Sequence, residues 1–153
     1  MTYTDPRSAL NQYAKVKTSS GIEDATPHRL IQMLMEGALE KIHLAKGFME
    51  RNEIAEKGSH ISWAISIIDG LRVSLNKEAG GEIAENLDNL YDYMERRLVE
   101  ANLHNDVSIL DEVSGLMLEI KGAWDAIPQE FHEQSSQPKE EAPDTVDRVN
   151  VIG

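Results

Sequence analysis

Between Thr26 and Pro128 the chain repeats one pattern four times: a run of about twenty residues in which apolar side chains recur three or four positions apart. That spacing gathers them on one face of an α-helix and fits no β-strand, whose faces alternate at every residue. The first run starts at Thr26-Pro27, where a threonine hydroxyl can cap free amides and proline is tolerated at the first helical position. Its stripe is Ile31, Met35, Ala38, Ile42, Ala45 and Met49, fading near Arg51-Asn52. A second run over about 54–76 carries Ile61, Ala64, Ile65, Ile68, Leu71 and Leu75. Ser74 to Gly81 breaks the pattern, with Gly80-Gly81 as the expected turn. The third run, about 82–103, carries Ile83, Leu87, Leu90, Met94, Leu98 and Ala101. Asp106 caps the fourth, about 107–127, with Leu110, Val113, Met117, Ile120, Trp124 and Ile127 in register and Pro128 after its end. Helices joined by such short connections predict an all-α, antiparallel up-down four-helix bundle over residues 26–127.

The flanks differ from this core. Residues 1–25 are polar, with one short apolar spacing at Leu10, Tyr13 and Ala14. A helix of about ten residues is marginal alone in water, so a short N-terminal capping helix docked on the bundle is expected. Residues 128–153 are rich in Gln, Ser, Pro and Glu, with six acidic residues against Lys139 and Arg148. That composition predicts a disordered acidic tail.

Composition excludes several function classes. There is no cysteine, hence no disulfide framework and no thiolate chemistry. No stretch approaches the ~18 apolar residues of a membrane span, and residues 1–21 lack a signal-peptide pattern, so a cytoplasmic location without membrane insertion is expected. A net charge of −12 repels phosphate backbones, so no nucleic-acid partner is expected.

Catalytic and metal chemistry find little footing. Glu40-x-x-His43 places a carboxylate and an imidazole on one helical face, as in carboxylate-bridged metal bundles. Such a site needs a second Glu-x-x-His, whereas Glu56 and His60, and Glu100 and His104, are four apart, so no metal and no cofactor are expected. Four-helix histidine phosphotransfer modules offer an alternative, because they display one exposed histidine. His60-Ile61-Ser62-Trp63 lacks the Lys-Gly that usually comes close behind, and so does His43-Leu44-Ala45, although Lys46-Gly47 comes soon after. No serine sits in a Gly-x-Ser-x-Gly turn, so no catalytic residue is assigned and the chain is read as a non-enzyme.

The first long helix is richer in apolar groups than one core stripe requires. From Leu30 to Leu39 seven of ten positions are apolar, Gly37 aside. Either this helix packs on two sides, or it floors a groove for a foreign helix, lined by flexible methionines and small residues. In the second case Leu10 and Tyr13 could occupy the groove when no partner is bound.

The block Thr26-Pro27-His28-Arg29-Leu30-Ile31-x-Met33-Leu34-x-x-Gly37-Ala38 resembles the Ser-Pro-His-x-Leu-Ile-x-Met-Leu-x-Asp-Gly-Ala block that opens the flagellin secretion chaperone family, FliS. Gly80-Gly81-Glu82-Ile83-Ala84-x-Asn86-Leu87, Leu90-Tyr91-Asp92-Tyr93-Met94, Arg96-Arg97-Leu98, Ala101-Asn102 and Ala123-Trp124 come next in the family's order. Thr26 replaces the commoner serine and keeps the capping hydroxyl, whereas Met35-Glu36 stands where an aromatic-Asp pair is usual. The resemblance implies a cytoplasmic export chaperone that uses no ATP. Such a protein binds the C-terminal segment of flagellin, prevents premature polymerisation, and docks on the cytoplasmic domain of the flagellar type III export gate. An anti-sigma factor or a co-chaperone is a further candidate for the same surface. The expected groove is Leu30, Met33, Leu34, Gly37, Ala38, Tyr91, Met94 and Leu98, with Leu10 and Tyr13 as its cap.

Overall fold

A computed structural model of the protein describes residues 25–132. Among them are four α-helices, α1 (Pro27–Glu50), α2 (Ile54–Val73), α3 (Lys77–His104) and α4 (Val107–Asp125), and a 3₁₀ turn at Gln129–Phe131. No described helix is long and apolar enough to cross a membrane. Each helix borders its two neighbours in the ring α1–α2–α3–α4, and the diagonal pairs stay apart, as in an up-down bundle.

Local chemistry sets the ends. Thr26 accepts from the Arg29 amide at 3.1 Å, and Asp106 accepts from the Ser108 amide at 2.9 Å, so both expected caps are present. α1 ends with Asn52 at φ 60°, which lets the Glu53 amide reach back to the Phe48 carbonyl at 2.9 Å. Asn105, also left-handed at φ 55°, closes α3. There Lys57, on the first turn of α2, donates to the Asn102 carbonyl and to Asn105 Oδ1, placing a cation where the α3 dipole is negative.

The α2–α3 connection departs from the sequence reading. The chain reverses at Ser74–Asn76, and Asn76 caps α3 by accepting from the Ala79 amide at 3.1 Å. Gly80-Gly81 is a kink within α3 rather than the turn between helices. Gly81 has φ 54° and ψ −126°, a conformation that only glycine adopts without strain. Lys77-Glu78-Ala79 carries no apolar repeat that would mark it as helix, so periodicity alone puts the turn too late.

The core joins the predicted stripes. Ile42, Ala45, Ile61, Ile68, Met94, Leu98, Leu110, Val113 and Met117 are buried, each large side chain contributing about 1.5–3 kcal/mol by leaving water. Ile67 joins them although the predicted stripe omitted it. Ile83, expected in the core, is 56% exposed, because the kink at Gly81 carries the start of α3 outward. α1 packs on two sides, against α2 and α4, and Met33 and Leu34 are buried.

Polar seams lace the helices together. Arg72 of α2 reaches Asp88, Asp92 and Glu95 of α3, and Lys77 joins Asp88 at 2.8 Å. Arg97 and Tyr93 of α3 bind Glu112 of α4. Gln32 of α1 donates to Asp125 of α4 at 2.6 Å.

Beyond α4 the chain turns back on α1. The His28 ring lies between Trp124 and His132, stacked at 4.9 and 3.7 Å between centroids. His28 Nε2 donates to the Trp124 carbonyl, the Trp124 indole donates to the His28 carbonyl, and the His28 amide donates to the His132 carbonyl. Residues 128–132, counted with the tail from sequence, thus pack as a latch on the start of α1.

Candidate functional site

Helices that alternate in direction bring the start of α1, the end of α2, the start of α3 and the end of α4 to one end of the bundle. There the four apolar stripes leave a recess of about 410 Å³, within the ~300–1,000 Å³ range of ligand sites. Ile31 and Met35 of α1, Leu71 of α2 and Leu75 of the connection after it line its inner side. Ile83, Leu87 and Tyr91 of α3 form one wall, and Ile120, Ala123, Trp124 and Ile127 the other. Only Ser74 and Glu119 interrupt the apolar lining, and the Ser74 hydroxyl is satisfied by donating to the Leu71 carbonyl at 2.7 Å.

The walls differ in rigidity. Trp124 is fixed by the His28 stack and by its indole hydrogen bond, so that wall is preset. The α3 wall begins immediately after the Gly81 kink, with Ile83 at its lip. Tyr91 stands at the deep end, and burial pushes its phenol well above the ordinary value, so it stays neutral at any physiological pH. The recess therefore presents aliphatic and aromatic surface with no charge at its base, which suits apolar side chains of a peptide.

The eight groove residues read from sequence are distributed unevenly around this recess. Tyr91 lines it directly. Leu30 is half-buried against the core. Met33, Leu34, Gly37, Ala38, Met94 and Leu98 are all buried. Leu10 and Tyr13 lie outside the described residues. Most of the lining, including Ile31, Leu75, Ile83, Leu87, Ile120 and Trp124, was legible only as core stripe. The signal available was positional, since these residues end or begin stripes that antiparallel packing brings to one place. Ala123, small among large neighbours, leaves the space open.

The remaining chemical candidates do not converge. Glu40 and His43 are both exposed on α1, and no group of three or more His, Asp or Glu among the described residues could hold a metal ion. His60 donates from Nδ1 to the Glu56 carbonyl of its own helix at 2.9 Å and sits beside Phe48 and Trp63.

Fold and recess together define a four-helix protein with an open apolar cleft at one end. A family profile described as "Flagellar protein FliS" matches residues 9–130. The chain is 57% identical over 119 residues to the flagellar secretion chaperone FliSB of Pseudomonas aeruginosa, covering 78% of this chain and 94% of that one. It is 45% identical over 131 residues to the flagellar secretion chaperone FliS of Salmonella typhimurium, covering 85% and 97%. The corresponding protein of Vibrio cholerae is 44% identical over 126 residues, covering 82% and 93%. The chain belongs to the FliS family of flagellar secretion chaperones.

Proposed function

We propose that this protein is a cytoplasmic export chaperone for flagellin: it binds the C-terminal segment of newly made flagellin, prevents premature polymerisation, and delivers the client to the cytoplasmic domain of the flagellar type III export gate. The observation that carries the reading is the open apolar recess at the end of the bundle, in a chain of a flagellar secretion chaperone family. A client segment that folds as it binds buries on the order of 1,000–3,000 Å², which offsets the cost of ordering it. The recess alone is too small for that area, so the client anchors there and continues over neighbouring helices.

In this reading Tyr91 and Leu30 touch the client. Met33, Leu34, Gly37, Ala38, Met94 and Leu98 form the packed wall behind them, exposed further if the bundle opens on binding. Leu10 and Tyr13 cap the α1 face of the groove, at Leu30, when no client is bound. An anti-sigma factor or a co-chaperone competes for the same surface.

Titration calorimetry with a flagellin C-terminal peptide tests the proposal. Expected is one-to-one binding at micromolar or lower concentration with a gain of helicity. Ala123→Arg, which fills the recess from an exposed position, weakens it more than tenfold while the far-ultraviolet spectrum is kept. Absence of binding heat at micromolar concentration removes the client assignment, and unchanged affinity in Ala123→Arg removes the recess as the anchor.

A further inference from the structure

The recess opens where the described chain ends. Ile127 lines it, and five residues later His132 is pinned at its edge by a 2.8 Å bond to the Ile127 carbonyl and by its stack on His28. Residues 133–153 lie outside the described residues, but their sequence is informative. Positions 133–148 are sixteen mostly polar residues with five acidic side chains, and Val149-Asn150-Val151-Ile152 then places three aliphatic residues in four. Such a cluster after a polar spacer has no use in solubility.

We propose that Val149, Val151 and Ile152 occupy the apolar recess when no client is bound, so that the chain carries its own competitor for the site. Three features support this occupant. The spacer is long enough: a polar chain of sixteen residues spans roughly 20–24 Å, whereas its anchor is already at the rim of the recess. The chemistry matches, since a recess of about 410 Å³ lined almost wholly by aliphatic and aromatic groups, with Glu119 as its one charged side chain, accepts a few branched aliphatic side chains. The affinity regime matches too. Tethering over this length gives an effective concentration of about 1 mM, so even a weak segment fills the site yet yields to a client that buries far more surface. With a segment affinity of about 0.2 mM the apparent client affinity falls about sixfold.

The proposal rests on the recess being a binding site, not on which client it takes. The absence of native cysteine gives a direct test in the full chain. A nitroxide on Gly153→Cys should broaden the resonances of Ile83, Ile120 and Ala123 at the recess while sparing Ile54 and Leu103 at the opposite end. The additional substitutions Val149→Asp, Val151→Asp and Ile152→Asp should abolish that broadening, and the same three changes without the label should tighten binding of the flagellin peptide about sixfold. Broadening that is absent, uniform over the bundle, or insensitive to the three substitutions overturns tail docking. If the peptide binds neither form, the client assignment fails, while the nitroxide experiment still decides the occupant.

Discussion

Glu95 is a buried carboxyl whose ionisation burdens the fold, and Glu95→Gln should stabilise the protein in a pH-dependent way. The side chain is 16% exposed at the α2–α3 seam, with its Oε1 3.5 Å from Arg72 Nη1. Burial, then the charge of Asp69, raises its carboxyl to about 7. Oε2 is buried without a hydrogen-bond partner, so nothing compensates a charge there and the neutral form is favoured. Asp92 adds repulsion, Arg72 opposes it, and Asp88 and Lys77 complete the charged groups around the seam. In the unfolded chain the same carboxyl titrates near 4.5. A folded-state value above the unfolded one means that the folded form binds the proton more tightly. The contribution is therefore fully present below about pH 4.5 and is lost as pH rises to about 7. The difference corresponds to a ceiling of about 3 kcal/mol, reduced to about 2 kcal/mol by water at the exposed edge. Glutamine keeps the acceptor for Arg72 and cannot ionise. Urea unfolding at pH 5.5 and 8.5, clear of the isoelectric point near 4.8, should show a larger gain for Glu95→Gln at the higher pH, by about 1–2 kcal/mol. Parallel pH profiles for the two proteins would refute this account of the seam.

The same geometry fixes the outcome of three other substitutions. Asp88→Asn should destabilise by about 1–2 kcal/mol, because the carboxylate, held below its ordinary value by Lys77 and Arg72 against the cost of burial, binds both cations; the wild-type advantage should vanish as the medium is acidified through its pKa. Gly81→Ala should cost about 1–3 kcal/mol by urea midpoint, wholly through backbone strain, since an added Cβ would meet no atom within 4 Å. His132→Ala should remove the latch and speed amide exchange in the first turn of α1 with little change at Leu98 or Leu110, and uniform acceleration through the bundle would contradict a local role.

How much of this was legible depends on whether a feature is carried by one helix or by two. Ile42, Ile68, Leu98 and Val113 declare their burial through spacing alone, and Thr26 and Asp106 declare their caps through residue type. The four-helix architecture is built from these local signals. The α1 surplus at Met33 and Leu34 was ambiguous, because two-sided packing depends on α2 and α4 both lying beside it. The Ser74–Asn76 reversal was hidden because a capping asparagine with Lys77-Glu78-Ala79 after it has no periodic signal. Nothing in Gln129–His132 announces that His132 will stack on His28, more than a hundred positions earlier. The recess itself belongs to no single segment, and arises where four stripe ends fail to fill a common space.

That failure has a cause in how the helices are tied. Arg72 and its carboxylates fasten α2 to the start of α3, and Gln32–Asp125 with the His28–Trp124 stack fastens α1 to the end of α4. Between α3 and α4 the ties from Tyr93 and Arg97 to Glu112 lie toward the other end of the bundle. From Ile83 to Tyr91 the α3 wall faces Ile120 and Ala123 across apolar surface. An apolar segment entering there displaces water rather than an ion pair or a hydrogen bond between helices, so the bundle need not surrender its seams to accept it. The Trp124 wall is held by its own hydrogen bond to α1, and the α3 wall begins just after the kink at Gly81. A recess walled in this way, by aliphatic and aromatic side chains from four helices, suits apolar side chains of a peptide better than a polar ligand.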